Sequence, residues 1–550
     1  MLHGNFCNSL RLMKLIIRRE RLISTIWVLI LVAVSIGVAP AIAEMFPDPD
    51  GRNQFAASFN NPIMVAMMGP IYGIDNYTPG AMYGGMMLLW YLITVAIMNI
   101  FFAVRHTRAD EEYGRTEVVR SLPTGRLANL NATMISALLL NIILGLLTGL
   151  GLAATGVENM GFGGSMLYGA VTAATGVVFA SIAVLFSQLF PSTSGATGFS
   201  LVSVGVFYLV RAAGDVQGSE ILACISPFGL ALRSQAYVEN NIWPVFLLLT
   251  AAIAISAAAY KLNTMRDMGQ GFIAAKPGRI AAPKGLLSPV GLAWRLLRTM
   301  LIAWATVMFV LGASYSSVIA DISTFIGDSP EYMTVIGVPV EMLDILPIAE
   351  QEKLIIDSFG TFVIMMMTLI CMIPLISTAM KMRSEEREGR AELVITRSVS
   401  RSRYMAGYST LAFLAGAVMQ FITAVGLYCT AAAMTGEANP FTFGGLVTSL
   451  FVFLPALWFM IGIAIFLIGV LPKAAVAVWA YFGVVCFTSF IGGMVLPEWM
   501  LNISPFHFIP QPRPFEEFVI DYTPLIILTV IAASLTVAGF VFYRRRDVVL

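Results

Sequence analysis

The residues Arg108-Ala-Asp-Glu-Glu-Tyr-Gly114-Arg115-Thr-Glu117 form a charged stretch that occurs twice in this chain. The second copy reads Arg383-Ser-Glu-Glu-Arg-Glu-Gly389-Arg390-Ala-Glu392, and each of its positions lies 275 residues after the first. We call residues 108–117 the first charged motif and residues 383–392 the second charged motif. Each follows a long apolar run. A motif that recurs at half the length of a 550-residue chain predicts a tandem duplication.

Further matches between the halves occur in the same order along the chain. Ile225-Ser-Pro-Phe228 recurs as Ile503-Ser-Pro-Phe506. Arg266-Asp267 and Arg546-Asp547 each close a half. The offset between matching residues increases along the chain, as insertions in loops would produce. Because several matches occur in the same order, duplication is favoured over chance.

The composition is that of a membrane protein. Hydrophobic residues make up 58% of the chain and charged residues 12%, whereas a soluble domain is about 25% charged. The apolar residues fall in unbroken runs of roughly 20, which is the length of a helix that crosses a bilayer. The five cysteines contain no CxxC pair, so we predict neither a disulfide framework nor a metal site. The sequence therefore predicts an all-α polytopic membrane protein.

Twelve spans are predicted, six in each half. Those of the first half lie at about 22–43, 81–104, 130–154, 164–190, 196–212 and 242–260. Those of the second half lie at about 299–320, 358–380, 404–433, 441–471, 474–496 and 524–543. The predicted domains are a first six-span half at 1–260, a cytoplasmic linker at 261–298 and a second six-span half at 299–550.

The distribution of charge predicts the orientation. With the N-terminus inside and alternating spans, the inside segments hold 28 of the 33 Lys and Arg residues, as the positive-inside rule requires. The outside segments hold 21 of the 32 acidic residues. We therefore predict a plasma-membrane protein with both termini in the cytoplasm. An N-terminal signal peptide ending near Ala43 fits less well, because the first apolar run is long for a signal.

Six spans is an even number, so both halves enter the membrane in the same orientation. The prediction is two parallel six-helix repeats about a pseudo-twofold axis along the membrane normal, with a pathway between them. The basic segments 1–21 and 292–298, before the first span of each half, are predicted to lie as helices on the anionic inner surface. The outer segments 213–241 and 497–523 are predicted either to form short helices that re-enter the bilayer or to be ordinary loops.

The positive-inside rule alone does not explain the charged motifs. Positive loops need only Lys and Arg, whereas these stretches mix acids and bases at matched positions. On a continuous helix Glu111 and Arg115 would pair at i, i+4, and Glu386 and Arg390 would repeat that pair. An apolar edge near Val118 follows. We interpret each motif as a short helix that docks on another protein, with a solvated loop as the alternative.

On these residues the chain resembles the permease subunits of the second class of ABC exporters, in particular long fused permeases assigned to the export of polyketide antibiotics. The resemblance rests on the repeated Glu-x-x-Gly-Arg-x-Glu, the basic helix before each half and the Arg-Arg-Asp ending at 545–547. It implies short re-entrant helices between the fifth and sixth spans. It also implies a separate ABC ATPase, in two copies, which binds the loop after the second span of each half.

The same resemblance implies which residues touch that ATPase. They are Glu111, Gly114, Arg115, Glu117, Glu386, Gly389, Arg390 and Glu392. The second motif departs from the first at Arg387 and Glu388, so the two docking sites need not be equivalent.

The sequence agrees that energy comes from a partner. The dipeptide Gly-Lys does not occur, so the chain has no Walker A loop. We predict a transport subunit rather than an enzyme, without catalytic residues or a cofactor of its own, and with ATP and Mg²⁺ held by the ATPase. The alternative is an ion-coupled secondary multidrug transporter, which usually keeps an acid or His inside the bilayer. The predicted spans contain none.

The substrate is only broadly indicated. Asn99, Asn141 and Gln420 are the notable polar residues in the spans, and each can line a cavity or bond across helices. A pathway without charge favours an amphipathic or hydrophobic compound, such as a drug, an antibiotic or a lipid-like molecule. The many methionines are better explained as flexible apolar packing than as a metal route. The predicted partners are thus an ATPase, the bilayer and a small amphipathic substrate, with no nucleic acid.

Overall fold

The computed structural model describes residues 2–59, 62–267, 269–273, 280–320, 347–397, 399–435, 442–489, 498–510 and 520–546. Throughout these residues the regular structure is helical, without a β-strand. The chain divides into two compact units, Met1–Gly278 and Arg279–Leu550. We describe each unit by itself.

The first unit contains thirteen helices in its described residues. They are α1 (Leu2–Asn5), α2 (Ser9–Met45), α3 (Pro49–Phe59), α4 (Pro62–Met68), α5 (Pro79–Val104), α6 (Asp110–Glu112), α7 (Arg115–Arg120), α8 (Ala128–Ala154), α9 (Phe162–Leu189), α10 (Thr193–Val216), α11 (Glu220–Ile225), α12 (Pro227–Leu232) and α13 (Trp243–Met265). A π-helical turn, Arg105–Ala109, joins α5 to α6, and a 3-10 turn covers Ile74–Asn76.

The second unit contains nine α-helices in its described residues. They are α14 (Pro289–Ala320), α15 (Ile348–Arg387), α16 (Arg390–Ile395), α17 (Arg401–Thr435), α18 (Phe443–Phe451), α19 (Leu454–Val470), α20 (Ala477–Phe487), α21 (Glu498–Leu501) and α22 (Tyr522–Arg545). Three 3-10 turns are Lys284–Leu287, Ala474–Val476 and Pro505–Phe508.

Eleven helical segments in the described part of the chain are long and apolar enough to cross a membrane. They confirm the prediction of a polytopic helical membrane protein. The predicted span 474–496 is described only to residue 489, and its helical part, Ala474–Phe487, is shorter than a membrane span. Twelve spans, and their arrangement as two parallel repeats, therefore stay a prediction. Most of the predicted outer loop 321–357 lies outside the described residues.

The basic N-terminal segment is not a separate helix. Helix α2 runs without interruption from Ser9 to Met45, so the predicted surface segment 1–21 and the predicted first span belong largely to one helix. Likewise α14 begins at Pro289 and includes residues 292–298. The reason is local: no Pro or Gly interrupts either helix where the basic residues give way to apolar ones.

The repeated Ser-Pro-Phe begins a short helical turn in both units. The Ser226 hydroxyl accepts a hydrogen bond from the Phe228 amide at 3.2 Å, and α12 follows. The Ser504 hydroxyl accepts from the Phe506 amide at 3.3 Å, and a 3-10 turn follows. Serine at the N-cap and proline at the first helical position are both favoured at helix starts.

Helix α9 is the centre of the first unit and contacts α5, α8, α10 and α13. It approaches α8 at two glycines. A Cβ added to Gly169 would lie 2.1 Å from the Gly145 carbonyl oxygen, and one added to Gly145 would lie 2.4 Å from the Gly169 oxygen. Small residues allow helix backbones to pack closely within membranes, where burial of apolar surface drives association only weakly.

The second unit uses the same device at two helix pairs. Helices α14 and α17 cross at Gly312 and Gly426, and a Cβ on Gly426 would lie 2.4 Å from the Phe309 carbonyl oxygen. Helices α19 and α22 cross at Gly469 and Gly539, with a corresponding distance of 2.3 Å from a Gly469 Cβ to the Gly539 oxygen. Close backbone approach at glycine thus fixes the main crossings in each unit.

We expect Gly169→Ala to destabilise the protein, because the added methyl group collides with backbone of α8 that cannot rotate away. Overpacking of this kind costs about 1–3 kcal/mol. The measurement is the thermal unfolding midpoint of purified protein. Gly198→Ala in α10 is the matched control, since a Cβ there meets no atom within 4 Å. Equal midpoints for the two variants would contradict the close crossing.

Candidate functional site: the two charged motifs

Each charged motif is broken by a glycine with positive φ. Gly114 has φ 71° and separates α6 from α7, and Gly389 has φ 72° and separates α15 from α16. Glycine adopts this left-handed conformation without strain and commonly ends helices in this way. The residues before and after each glycine therefore belong to different helices with different directions.

This break overturns the predicted pairs within the motifs. Arg115 does not pair with Glu111: its Nη1 donates to Asp110 Oδ1 at 3.0 Å. Arg390 does not pair with Glu386, because its guanidinium donates to both Glu385 oxygens at 2.6 and 2.7 Å. The i, i+4 geometry exists only on a continuous helix, and the glycine lies between the two residues.

Glu111 instead holds the end of the last helix of its unit. Its two carboxylate oxygens accept hydrogen bonds from Arg266 Nη1 and Nη2 at 2.8 and 2.6 Å. The amide of Gly269 donates to the same carboxylate at 2.8 Å. Both side chains of the ion pair are at most 10% exposed. A bidentate, nearly buried pair of this kind is among the stronger ionic contacts in proteins.

The second unit contains the same ion pair. Arg546 Nη2 donates to both oxygens of Glu386, to Oε2 at 2.6 Å. Arg266 is the C-cap residue of α13 and Arg546 is the C-cap residue of α22. The acid of each motif is therefore bound to the corresponding end of a helix about 155–160 residues further along the chain. We call these two contacts, Glu111–Arg266 and Glu386–Arg546, the terminal clamps.

A second arginine strengthens each clamp. Arg126 Nη2 donates to the backbone carbonyls of Asn263 and Arg266 at 3.0 and 2.8 Å. Arg401 Nη1 donates to the carbonyl of Arg546 at 2.5 Å. These carbonyls lie at helix C-termini, where backbone acceptors lack partners and positive charge is favourable.

Arg108 opens the first motif and is 1% exposed. Its guanidinium donates to the carbonyls of Gly269 at 2.8 Å and Gln270 at 3.2 Å, and also to that of Pro191 in the turn between α9 and α10. In the second unit Arg383 Nη2 donates to the Lys473 carbonyl at 3.3 Å, in the turn after α19. The opening arginine thus attaches each motif to a neighbouring turn.

Asp110 also links the first motif to α2. Arg19 donates to its two oxygens at 3.1 and 2.8 Å, so Asp110 is shared between Arg19 and Arg115. In the second unit Glu385 is shared between Arg390 and Lys381, the latter at 3.0 Å. The hydrogen bonds to Glu385 raise the pKa of Arg390 above its ordinary value.

The eight predicted docking residues therefore have different surroundings. Glu111 and Glu386 face inward in the clamps, and Gly114 and Gly389 end helices. Arg115, Glu117 and Arg390 are exposed, and Glu392 is half-buried. The sequence interpretation missed Arg108, Asp110, Arg266 and their counterparts in the second unit, although the matched positions of Arg266 and Arg546 were a visible signal.

An exposed apolar side chain directly follows each motif. Val118 is 70% exposed on α7, and Leu393, 275 positions later, is 72% exposed on α16. Tyr113 and Leu122 are also exposed beside Val118. We call Val118 and Leu393 the exposed apolar positions of the motifs.

The predicted pathway residues bond across helices. Asn99 on α5 and Asn141 on α8 are fully buried and exchange two hydrogen bonds, at 3.0 and 2.7 Å. Gln420 on α17 is fully buried and donates to Thr368 on α15 at 2.8 Å. The sequence left open whether these residues line a cavity or form hydrogen bonds between helices, and the contacts correspond to the second role. Their part in a substrate pathway stays a prediction.

One helix extends further than its predicted span, 196–212, and contains an acid that the span excluded. Helix α10 continues to Val216 and so includes Asp215 as well as Arg211. Both side chains are fully buried, with Arg211 Nη1 3.6 Å from Asp215 Oδ2 and Arg233 Nη1 3.5 Å from Oδ1. Arg211 also donates to the Val65 carbonyl at 3.1 Å, which attaches α4 to α10.

We expect Glu111→Ala to destabilise the protein by about 3 kcal/mol, because it leaves the buried Arg266 and Arg108 without their carboxylate. The thermal unfolding midpoint of purified protein measures this effect. Glu117→Ala is the matched control, since Glu117 is an exposed acid in the same motif and its loss should change stability by less than about 0.5 kcal/mol. A loss of stability as large in the control as in Glu111→Ala would show that the clamp has no special role.

Comparison with known proteins assigns the family. The family model described as "Multidrug efflux system permease Rv1217c, C-terminal domain" matches residues 14–261 and 286–544, one stretch in each compact unit. The chain is also 30% identical to the multidrug efflux system permease protein Rv1217c of Mycobacterium tuberculosis (strain ATCC 25618 / H37Rv). That alignment covers 99% of this chain and 96% of the relative. The chain is therefore a multi-pass membrane protein that belongs to the family of the permease Rv1217c.

Proposed function

We propose that this chain is the membrane permease of an ATP-driven efflux system, an ABC exporter of the second class. It moves amphipathic or hydrophobic compounds, such as drugs, antibiotics or lipid-like molecules, out of the cell by alternating access. The similarity of the chain to a multidrug efflux system permease of Mycobacterium tuberculosis supports the efflux role. The ABC class, and polyketide antibiotics as one kind of cargo, rest on the sequence resemblance.

The observation that best supports this proposal is the form of the two charged motifs. Each contains an inward-facing clamp and is followed directly by an exposed apolar position, Val118 or Leu393. A short helix that follows residues fixed by nearly buried ion pairs, and that has an apolar side chain at its outer surface, suits docking in a groove of another protein. A loop that served only to set membrane orientation would need neither feature.

In this proposal a separate ATPase, in two copies, binds α7 and α16 and supplies the energy. ATP and Mg²⁺ are held by that partner, since this sequence has no Gly-Lys dipeptide for a phosphate-binding loop. The chain acts as a transport subunit and not as an enzyme. The protein lies in the plasma membrane with both termini and both motifs on the cytoplasmic side.

The contacts behind the motif provide a route for mechanical coupling. A force on α7 reaches α13 through Glu111 and Arg266, and reaches α2 through Arg115, Asp110 and Arg19. In the second unit, a force on α16 reaches α22 through Glu386 and Arg546. Coupling between sites requires such contiguous contacts together with two states of different affinity for each ligand.

The ion-coupled alternative is less well supported. Such a transporter needs a carboxylate that can exchange its partner for an ion during the cycle. Asp215 is flanked by Arg211 and Arg233, and Glu20 on α2 lies within 3.3 Å of both Arg105 and His106. Both acids therefore already have cationic partners.

The proposal predicts that Val118→Glu combined with Leu393→Glu prevents binding of the ATPase, because charge replaces the apolar contact while the clamps stay intact. The measurement is affinity purification from native membranes. The ATPase is identified by peptides that contain a Walker A sequence and by ATP hydrolysis in the eluate. We expect at least a tenfold loss of co-purified ATPase activity relative to the wild type.

Leu287→Glu is the matched control, since Leu287 is 81% exposed in a 3-10 turn outside both motifs. It should retain the ATPase. If no ATPase accompanies the wild type, or if the double variant retains it in full, docking at these motifs is wrong. In the first case the ion-coupled alternative becomes the leading one.

A further inference from the structure

The first unit contains a groove between α2, α5 and α10, beside the first charged motif. Its volume is about 410 Å³, which is within the usual range for a small-molecule site. Apolar and aromatic side chains form one part of its wall and polar groups form another. The residues that matter here are Glu20, Trp27, Met98, Phe101, Arg105 and Thr193.

The wall changes from polar to apolar along the groove. On α2, Trp27 follows Glu20 by seven residues, which is about 10 Å of helix. Met98 in α5 likewise precedes Arg105 by seven residues, and Arg105 lies in the π-helical turn that continues α5. Arg105 contacts Glu20 and Tyr83 contacts Ser35, so the two helices run in opposite directions. One end of the groove is therefore charged, and the other end is lined by Trp27 and Met98.

The charged end has unused hydrogen-bond donors. Glu20 is 5% exposed and is already neutralised by Arg105, whose Nε lies 3.2 Å from the carboxylate, and the buried His106 ring lies 3.3 Å from the same carboxylate. The Arg105 side chain is 51% exposed, and its guanidinium has five N–H donors, more than the single carboxylate occupies. The Thr193 hydroxyl is buried and has no hydrogen-bond partner among the described residues. The Thr193 amide already donates to Glu112 Oε2 at 2.6 Å, so the free donors at this end are the remaining Arg105 N–H groups and the Thr193 hydroxyl, which suit a ligand with acceptors.

The equivalent positions of the second half lack these charges. With the 275-residue offset of the charged motifs, Arg105 corresponds to Met380. With the offset that aligns Trp27 with Trp304, Glu20 corresponds to Leu297. Leu297 belongs to the apolar core of the second unit. The charged end is thus a feature of the first unit's sequence and not a general consequence of the fold.

We propose that this groove binds an amphipathic aromatic compound that carries an anionic group. The aromatic body packs against Trp27 and Phe101, and the anion accepts hydrogen bonds from Arg105 and Thr193. The assignment of such compounds as cargo rests on the proposed efflux function. Ala109 and Tyr113 of the first charged motif also line the groove.

The test uses two dyes with the same xanthene body and opposite charge, fluorescein and rhodamine 123. Binding to the purified full-length chain in lipid nanodiscs, without any ATPase, is measured by fluorescence anisotropy at about 0.15 M salt, where distant charges are screened. We expect fluorescein to bind at least tenfold more tightly than rhodamine 123. Arg105→Gln and Trp27→Ala should each weaken fluorescein binding at least tenfold.

Two controls separate a local from a general effect. Arg11→Gln removes an exposed arginine from α2 outside the groove, and Trp304→Ala removes the matching tryptophan of the second half. Both should bind fluorescein as the wild type does. Because Arg105→Gln also leaves Glu20 without its arginine, the double variant Glu20→Gln with Arg105→Gln is included. It keeps the groove neutral and should still lose fluorescein binding.

The proposal is overturned if fluorescein does not bind, if both dyes bind equally, or if the groove variants bind as well as the controls. A site that takes only lipid gives the first of these results. The outcome is independent of the docking experiment, because no ATPase is present. If the dye does not bind but the ATPase co-purifies, only the proposed ligand groove is wrong. If the dye binds but no ATPase co-purifies, only the proposed ATP-driven mechanism is wrong.

Discussion

An acid at the end of the second long helix of each unit is bound to an arginine at the end of the last helix. The two contacts, Glu111–Arg266 and Glu386–Arg546, are nearly buried, where Coulomb attraction is stronger than at an exposed surface. Each joins segments about 155–160 residues apart. The short helices α7 and α16 have a defined position because these terminal clamps hold the chain immediately before them. The docking surface that we propose depends on this constraint.

In the function that we propose, the clamps connect one small docking surface to the rest of its unit. Around the first motif, Arg108, Asp110 and Glu111 each contact a different segment: the α9–α10 turn, α2 and the end of α13. A displacement of residues 108–111 therefore cannot stay local without breaking charged contacts that are largely withdrawn from water. Breaking one such contact and leaving its partner buried is costly. Movement of the helices as connected bodies is the less costly response.

The two halves share the clamps but differ in what surrounds them. Asp110 pairs with Arg19 from α2, whereas its counterpart Glu385 pairs with Lys381 from its own helix. The groove with Glu20 and Arg105 has no charged equivalent in the second half. A single chain with two halves permits this divergence, because each half accumulates substitutions independently. For that reason, the two halves can share the docking of the ATPase that we propose while only the first half contains the ligand groove that we propose.

The sequence by itself determined the class of structure and the place of the site. Long apolar runs can satisfy their backbone hydrogen bonds within a membrane as helices, and the recurrence of the charged motif located the two surfaces. The partners of the charged residues were decided by tertiary structure. The predicted pairing of Glu111 with Arg115 assumed a continuous helix, which the left-handed Gly114 interrupts. Arg266 is remote in sequence, and local patterns contain no information about which distant helix end a carboxylate will meet. The same holds for Asn99 and Asn141, whose residue type allowed two roles until packing brought their amides together.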